Sequence, residues 1–326
     1  MANYLLPQYY SSFKKKNNRS IILTTYKGIG TILLIKIIGC WLLCSNKDKN
    51  IFYCKQCKSC QLMNSKNHPD WYNVQLLSNR NVIGIDIIRW LCNQMLKTSK
   101  RNGNKVVYFS DISRLTEHSM NALLKILEEP PKNTYFLFIN YFSLSLLPTL
   151  RSRCILYTIS TPLEKTSIHW LKEKNSNIKE NTFKTALRIN QGSPIFAKTF
   201  LYTPLWKERH TFLYHLKRSI VDKNFLCMLD NFNLGNIEKK IFWLCTLLFD
   251  AIKMQHNDIK NLINLDKKNI IIFFKKKYSF FALDNSLRSW MYCNFKIANN
   301  IYGINTELLL IEQLLRWENI LKLRMY

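Results

Sequence analysis

Acidic residues are scarce in this 326-residue chain: 21 Asp and Glu stand against 48 Lys and Arg, a formal net charge of +27. That shortage favours polyanionic partners, because cations that neutralise phosphates release counterions. The chain is also rich in Ile, Lys and Asn, as an AT-rich coding bias would make it, so charge alone assigns no nucleic-acid groove. No apolar run reaches the roughly 20 residues a membrane span needs. The most apolar stretch, Ile29 to Cys44, falls short, carries Lys36 near its middle, and reads as a buried helix. No secretory leader is expected, since Met1–Lys16 has no apolar core ahead of a small-residue cleavage site. A cytoplasmic protein with no membrane partner is therefore expected. A disulfide framework is missing too. Of ten cysteines, four (Cys44, Cys54, Cys57, Cys60) share one segment and the rest are scattered among apolar neighbours. In a reducing compartment such clusters bind metal more often than they cross-link. The remaining histidines, His118, His169, His210, His215 and His256, lie in no nucleophile motif.

What is present is a hydrophobic fraction of 47%, enough for real cores, in a chain long enough for two or three domains. Ser20–Thr24 is a β-branched run followed by Lys27-Gly28-Ile29-Gly30 and a helix-length apolar segment, the strand–loop–helix opening of a βαβ unit. Val74–Leu77 is expected as a second strand, and Val82–Lys97 as a helix burying Ile85, Ile88, Cys92 and Met95. Lys105–Ser110, Thr134–Ile139 and Cys154–Ile159 read as further buried strands. Between them lies a helix capped by Thr116, stapled by Leu115 and Met120, lined by Leu123, Leu124 and Leu127, and stopped at Pro130-Pro131. Strands alternating with helices predict a parallel α/β sheet over roughly residues 1–160. Beyond Thr161-Pro162, short helices broken at Gly192-Ser193-Pro194 give way to long amphipathic segments, Ile237–Ile252 and Thr306–Leu323 among them, with no convincing strand. Phe242-Trp243 and Trp290-Tyr292 read as helical core rather than base-stacking platforms. The basic triplets Lys14–Lys16 and Lys275–Lys277 read as solvated surface.

The cysteine pattern is Cys44-x9-Cys54-x2-Cys57-x2-Cys60. Thiolates two residues apart on a tight turn can share one tetrahedral ion, and a fourth closes a structural Zn²⁺ site with no open position for chemistry. An iron–sulfur cluster is the alternative, but that pattern wants a fourth cysteine followed by proline shortly downstream. His68 is a substitute ligand should Cys44 not reach; in His68-Pro69-Asp70 it more simply shapes the turn.

Two motifs carry a family resemblance. Asn121-Ala122-Leu123-Leu124-Lys125-Ile126-Leu127-Glu128-Glu129-Pro130-Pro131 and Leu150-Arg151-Ser152-Arg153-Cys154, with its Ser-Arg-Cys, are similar to signatures of bacterial clamp-loader AAA+ subunits. With the cysteines and the closing Asn305-Thr306-Glu307-Leu308-Leu309, the similarity spans nearly the whole chain. That family has an ATP-hydrolysing motor branch and a delta-prime branch that binds no nucleotide. A P-loop needs glycines for close backbone approach, a Lys for the β/γ-phosphates and a hydroxyl for Mg²⁺. In Thr25-Tyr26-Lys27-Gly28-Ile29-Gly30-Thr31-Ile32, Thr25 takes the first Gly position, Thr31 the Lys position and Ile32 the hydroxyl position. Gly28 and Gly30 survive, and Lys27 sits at a different motif position. Ser110-Asp111 stand where the motor has Asp-Glu, and Ile195 replaces the γ-phosphate-sensing arginine of Gly-Ser-x-Arg. These combined losses argue against ATP hydrolysis and point to the delta-prime branch. A divergent gamma/tau-like motor subunit is the alternative, and a free-standing zinc-containing nucleic-acid-binding protein a third.

The resemblance implies three domains: an AAA+-like α/β domain over 1–162 with a zinc module near 44–60, a small helical lid over 163–204, and an all-α collar over 205–326. It implies one structural zinc and no bound ATP. Its partners would be motor (gamma/tau-like) and delta subunits and a sliding clamp, with primer–template DNA reached indirectly. Arg153, expected at the end of a sheet strand and facing outward, would then be an arginine finger for a neighbouring subunit's nucleotide. A local salt bridge is its ordinary alternative, and Arg151 is the weaker candidate.

Overall fold

The computed structural model describes residues 19–46, 53–75, 82–141, 147–173, 178–233, 235–299 and 305–322. The Lys14–Lys16 triplet and Leu76-Leu77 of the expected second strand lie outside them. The chain divides into two compact units, Met1–Thr161 and Pro162–Tyr326.

In the first unit, apolar runs without polar alternation become strands, the inner three buried on both faces and the outer two only partly. They are β1 (Ser20–Thr25), β2 (Trp71–Val74), β3 (Lys105–Phe109), β4 (Thr134–Tyr141) and β5 (Ile155–Ile159). All pairs are parallel, in the order β2-β3-β4-β1-β5, with Ile22 opposite Phe138 and Val107 opposite Phe136. The second strand runs Trp71–Val74 rather than Val74–Leu77. It opens directly after Pro69-Asp70 with two aromatics of high strand propensity.

The period of two sends successive side chains to opposite faces. Ile21, Leu23, Val106, Tyr108, Leu137 and Ile139 join Leu34, Ile35 and Ile38 of α1 (Thr31–Leu43) in one core. Ile22, Val107, Phe109, Phe136 and Phe138 join a second. Its cover is Ile88, Leu91 and Met95 of α3 (Ile85–Leu96), Leu123 and Leu127 of α4 (Glu117–Glu128), and Leu150 of α5 (Pro148–Arg153). A short α2 (Lys58–Asn64) follows the cysteine-rich loop. Thr116 caps α4 by accepting from the Ser119 N–H at 3.3 Å. At its far end, Arg19 donates to the Pro130 and Pro131 carbonyls at 3.0 and 3.1 Å. Buried Lys105 satisfies the end of α3 by donating from Nζ to the Met95 and Lys97 carbonyls, and burial lowers its pKa. On the other face, Gly39 of α1 lies so close to Trp71 that a Cβ there would stand 2.1 Å from the indole Cζ3.

The second unit is helical: α6 (Glu164–Lys172), α7 (Glu180–Ile189), α8 (Pro194–Tyr202), α9 (Pro204–Val221), α10 (Met228–Asn233), α11 (Ile237–Gln255), α12 (Lys268–Lys277), α13 (Phe280–Ala298) and α14 (Thr306–Lys322). Pro194 at the first helical position and Ser193, accepting from the Phe196 N–H, start α8. One hydrophobic cluster runs from Ile168 to Leu321, so residues 163–204 and 205–326 share a core. Trp243, Trp290 and Trp317 are buried in it, with Trp290 stacked on Phe232 at 5.5 Å and edge-on to Trp317 at 5.6 Å. Phe242 and Tyr292, by contrast, are exposed; on a helix, neighbours one or two apart fall on different faces.

The charged side chains of Arg209, Lys240, Asp250 and Asp266 are buried here. Arg209 of α9 donates from Nη1 to Asp266 at 2.7 Å and from Nη2 to Asn264 at 2.6 Å. Asp250 of α11 accepts from the Ile263 and Asn264 amides at 2.8 and 2.7 Å. Lys240 reaches the Asn231 carbonyl at 2.6 Å and Glu208 at 3.2 Å. Arg188 forks onto Glu164 at 2.8 and 3.1 Å and donates to the Lys260 carbonyl at 3.1 Å. The bond from Arg188 to Lys260 ties residues 163–204 to the helices that follow. No helix among the described residues is long and apolar enough to cross a membrane.

Candidate functional sites

The four clustered cysteines converge. Cys44 ends α1, Cys54 lies in the connecting loop, Cys57 is the N-cap of α2 and Cys60 is in its first turn. Their Sγ atoms all lie within 4.8 Å of one another. Cys44 and Cys54 are 3.6 Å apart, and the Cys44–Cys57 and Cys54–Cys60 separations are both 3.9 Å. A tetrahedral zinc with bonds of about 2.3 Å would set its sulfurs about 3.8 Å apart, so the donor set fits such an ion. Backbone amides already solvate the sulfurs: the Cys57 N–H donates to Cys54 Sγ at 3.3 Å and the Cys54 N–H to Cys44 Sγ at 3.5 Å. Burial pushes the Cys57 thiol up, but hydrogen bonds from the Cys60 and Ser45 backbone outweigh it and bring the pKa down to about 6. Burial raises Cys44 and Cys60. The cluster can hold a metal ion. His68 is not part of it; its Nδ1 accepts from the Asp70 N–H at 3.1 Å, which shapes the turn into β2.

The turn between β1 and α1 keeps its glycines in the left-handed region, Gly28 at φ 78° and Gly30 at φ 98°. Beside them two hydroxyl side chains point inward. Thr25 and Thr31 are both buried and their hydroxyls bond each other at 2.9 Å. Thr31 thus spends its only polar atom within the turn. The next position, Ile32, is 61% exposed and offers no hydroxyl. Lys27 lies over the Tyr141 ring, 5.1 Å from its centroid. At the end of β3, Asp111 caps a single 3₁₀ turn (Ile112–Arg114), accepting from the Ser113 N–H at 3.1 Å and pairing with Arg114 at 3.8 Å. Ile195 is at the start of α8 and partly exposed.

Arg153 ends the short helix α5, not a strand: Pro148 starts a turn of helix, and the chain becomes extended only at Cys154. Its backbone is held between two buried residues, Leu150 and Cys154. Burial pushes the Cys154 thiol up to about 12, which suits packing rather than nucleophilic chemistry. The guanidinium pairs with Glu128 through Nη2, and Nε donates to the same carboxylate at 3.1 Å. Nη1 donates to the Thr149 carbonyl at 2.9 Å. Arg151 is exposed. The pairing with Glu128 was not anticipated from the sequence, although an acid in the last turn of a helix, against the macrodipole, is a signal that it answers to something else.

The chain matches two family models, one described as DNA polymerase III, delta subunit, over residues 5–162, and one described as DNA polymerase III, delta subunit, C terminal, over residues 203–319. A protein named DNA polymerase III subunit delta' from Buchnera aphidicola (subsp. Schizaphis graminum) is 44% identical over 94% of this chain and 93% of its own length. The protein of that name from Escherichia coli K12 is 30% identical over 94% of this chain and 91% of its own. A gamma subunit from the same Buchnera is 26% identical over 55% of this chain and 49% of its own. Among solved structures, a gamma-subunit-related protein from Thermotoga maritima aligns with 97% of this chain and 99% of its own at a TM-score of 0.46 and 18% identity.

Proposed function

Because the chain belongs to the delta-prime subunit family of DNA polymerase III, we propose that it is a clamp-loader subunit that neither binds nor hydrolyses ATP and acts on a neighbour's nucleotide instead. It would sit with motor (gamma/tau-like) and delta subunits in a cytoplasmic hetero-oligomer that opens a sliding clamp, reaching primer–template DNA through that assembly. Residues 163–204 would take the place of a lid and 205–326 of the collar that holds the ring together.

The observation that carries the proposal is the β1–α1 turn. A phosphate loop works by presenting N–H groups, a lysine and a hydroxyl to polyphosphate. Here the side chain at the lysine position is buried against Thr25, and the first acid of the metal-binding pair is Ser110, followed by an Asp111 committed to a turn. Catalysis of phosphoryl transfer is almost wholly positioning and charge stabilisation, so a chain without these groups has little means of turning ATP over. What it retains is Arg153, partly exposed at the α5–β5 junction, which would supply charge in trans. The cysteine cluster would hold one structural zinc that pins the loop between α1 and α2.

Equilibrium titration of the isolated chain with a fluorescent ATP analogue should show no saturable micromolar binding. Saturation in that range would move the chain to the motor reading. Arg153→Ala in the reconstituted loader should assemble normally and lower clamp- and DNA-stimulated ATPase only in part, since other motor sites keep their own arginines. Elemental analysis should find one zinc per chain, and iron with sulfide would refute that assignment.

A further inference from the structure

Arginine donates through five N–H groups in one rigid plane, so fixing one edge of the guanidinium aims the whole fork. In Arg153 the edge formed by Nε and Nη2 is taken by a single carboxylate, Glu128, at 3.1 Å from Nε. The Thr149 carbonyl takes Nη1 at 2.9 Å, and the Ser152 hydroxyl lies 3.3 Å from it. The Arg153 side chain is nonetheless 30% exposed and Glu128 52%. The head group is therefore oriented but still reachable.

Neither stability nor helix formation explains Glu128. An exposed ion pair of this kind adds little to folding. A carboxylate in the last turn of α4 opposes the helix dipole, where a cation would be favoured. Yet it joins two elements 25 residues apart in sequence and meets the one arginine that the family resemblance singles out. A flexible side chain that must reach a phosphate across a subunit boundary loses rate through disorder or misplacement, and a 1 Å error can cost on the order of 100-fold.

We infer that Glu128 is a positioning residue for Arg153, holding the guanidinium plane so that its one remaining N–H, on Nη2, faces a phosphate on the adjoining subunit; this rests on the trans-acting reading of Arg153. Glu128 touches no substrate itself, and its effect passes entirely through the arginine.

The test uses the reconstituted loader with its own motor and delta subunits, clamp and primed DNA, measuring steady-state ATPase. Glu128→Ala should reproduce most of the kcat loss of Arg153→Ala with KM for ATP unchanged, while the melting midpoint and assembly stay at wild type. Glu128→Gln, which keeps a carbonyl oxygen within reach, should recover part of that loss. The double variant Glu128→Ala/Arg153→Ala should equal Arg153→Ala alone. If Arg153→Ala is impaired but Glu128→Ala is not, or is faster than wild type, the positioning role is wrong and the trans-acting arginine stands. If the two losses multiply in the double variant, Glu128 acts elsewhere and the inference again falls. If Arg153→Ala itself matches wild type, the underlying reading fails and this inference with it.

Discussion

The two units of this protein place their polar chemistry differently. The α/β unit keeps it at the rim, in turns that join strands to helices: four thiols at the end of α1, paired hydroxyls after β1, a guanidinium before β5. Its sheet interior is almost wholly apolar on both faces. The helical unit does the reverse and buries Arg209, Lys240, Asp250 and Asp266 among its tryptophans. Of these rim groups the Arg153 guanidinium is reachable by a partner and the four thiols by an ion; charges sealed in a helical core cannot meet either, and act by fixing how helices register. The difference separates a unit built to present groups from one built to hold a shape.

Removing thiols of the cysteine cluster should give the largest effect, and should fall on the α/β unit. Cys57→Ser or Cys60→Ser should release the zinc proposed for the cluster. Binding free energies of structural zinc are folding free energies, about 10–16 kcal/mol in small peptides, so even a fraction of that would be visible. Hydrogen exchange should show protection lost around α1 and α2 and largely kept in the helical unit. Equal loss in both units would break the comparison.

The converse is Arg209→Leu. It leaves Asp266 and Asn264 buried without their cation, and breaking a buried pair costs about 3–5 kcal/mol. Urea melts of the variant should lose that much from the helical unit. A loss under about 1 kcal/mol would mean that water reaches the pair.

An acid titration sharpens the same point. Burial pushes Asp266 up, but its bonds to Arg209 and the charge of that guanidinium outweigh burial and hold its pKa below the ordinary carboxylate value. With the folded pKa below the unfolded one, near 3.9, the unfolded chain binds more protons in that range. The stabilisation is therefore present above that value and lost as pH falls through the folded pKa. The stability gap between wild type and Asp266→Asn should narrow from pH 7 to pH 3. Asp250, raised by its burial, runs the other way but is present in both proteins and cancels in the difference.

The smallest effect belongs to the hydroxyl pair. Thr31→Val leaves the buried Thr25 hydroxyl with only its 3.3 Å bond to the Tyr26 carbonyl and should cost about 1 kcal/mol. Thr25→Val/Thr31→Val, which removes both partners with little change of shape, should cost less than the single change. Chemical denaturation of the three proteins checks the order.

How much of this was legible in the sequence follows from what each feature depends on. The apolar runs at Lys105–Ser110 and Thr134–Ile139 are read correctly because buried parallel strands carry their signal in their own residues. The Thr116 cap and the proline stop are equally local. The cysteine spacing foretold a four-thiol cluster because thiols two residues apart on a tight turn converge on one point. The second strand was misplaced by three residues, since an edge strand of four residues is set by its aromatic packing on α1 and β3. Arg153, expected at the end of a strand, ends α5 instead, because one turn of helix is too short to leave a period. Glu128 as its partner, and the Arg209–Asp266–Asn264 network, lie 25 to 57 residues apart and leave no local trace.

The contact between Gly39 and Trp71 bears on how such a sequence can change over generations. With the indole ring occupying the space of a side chain at position 39, any larger residue there collides unless the tryptophan shrinks first or backs away. Trp71 also stacks on Tyr108, 5.8 Å between centroids, so shrinking it opens a gap beside β3. Each single step is therefore uphill, and lineages can leave this arrangement only through paired substitutions. Positions 39 and 71 should covary among descendants, and Gly39→Ala should be tolerated far better beside a smaller residue at 71 than beside tryptophan.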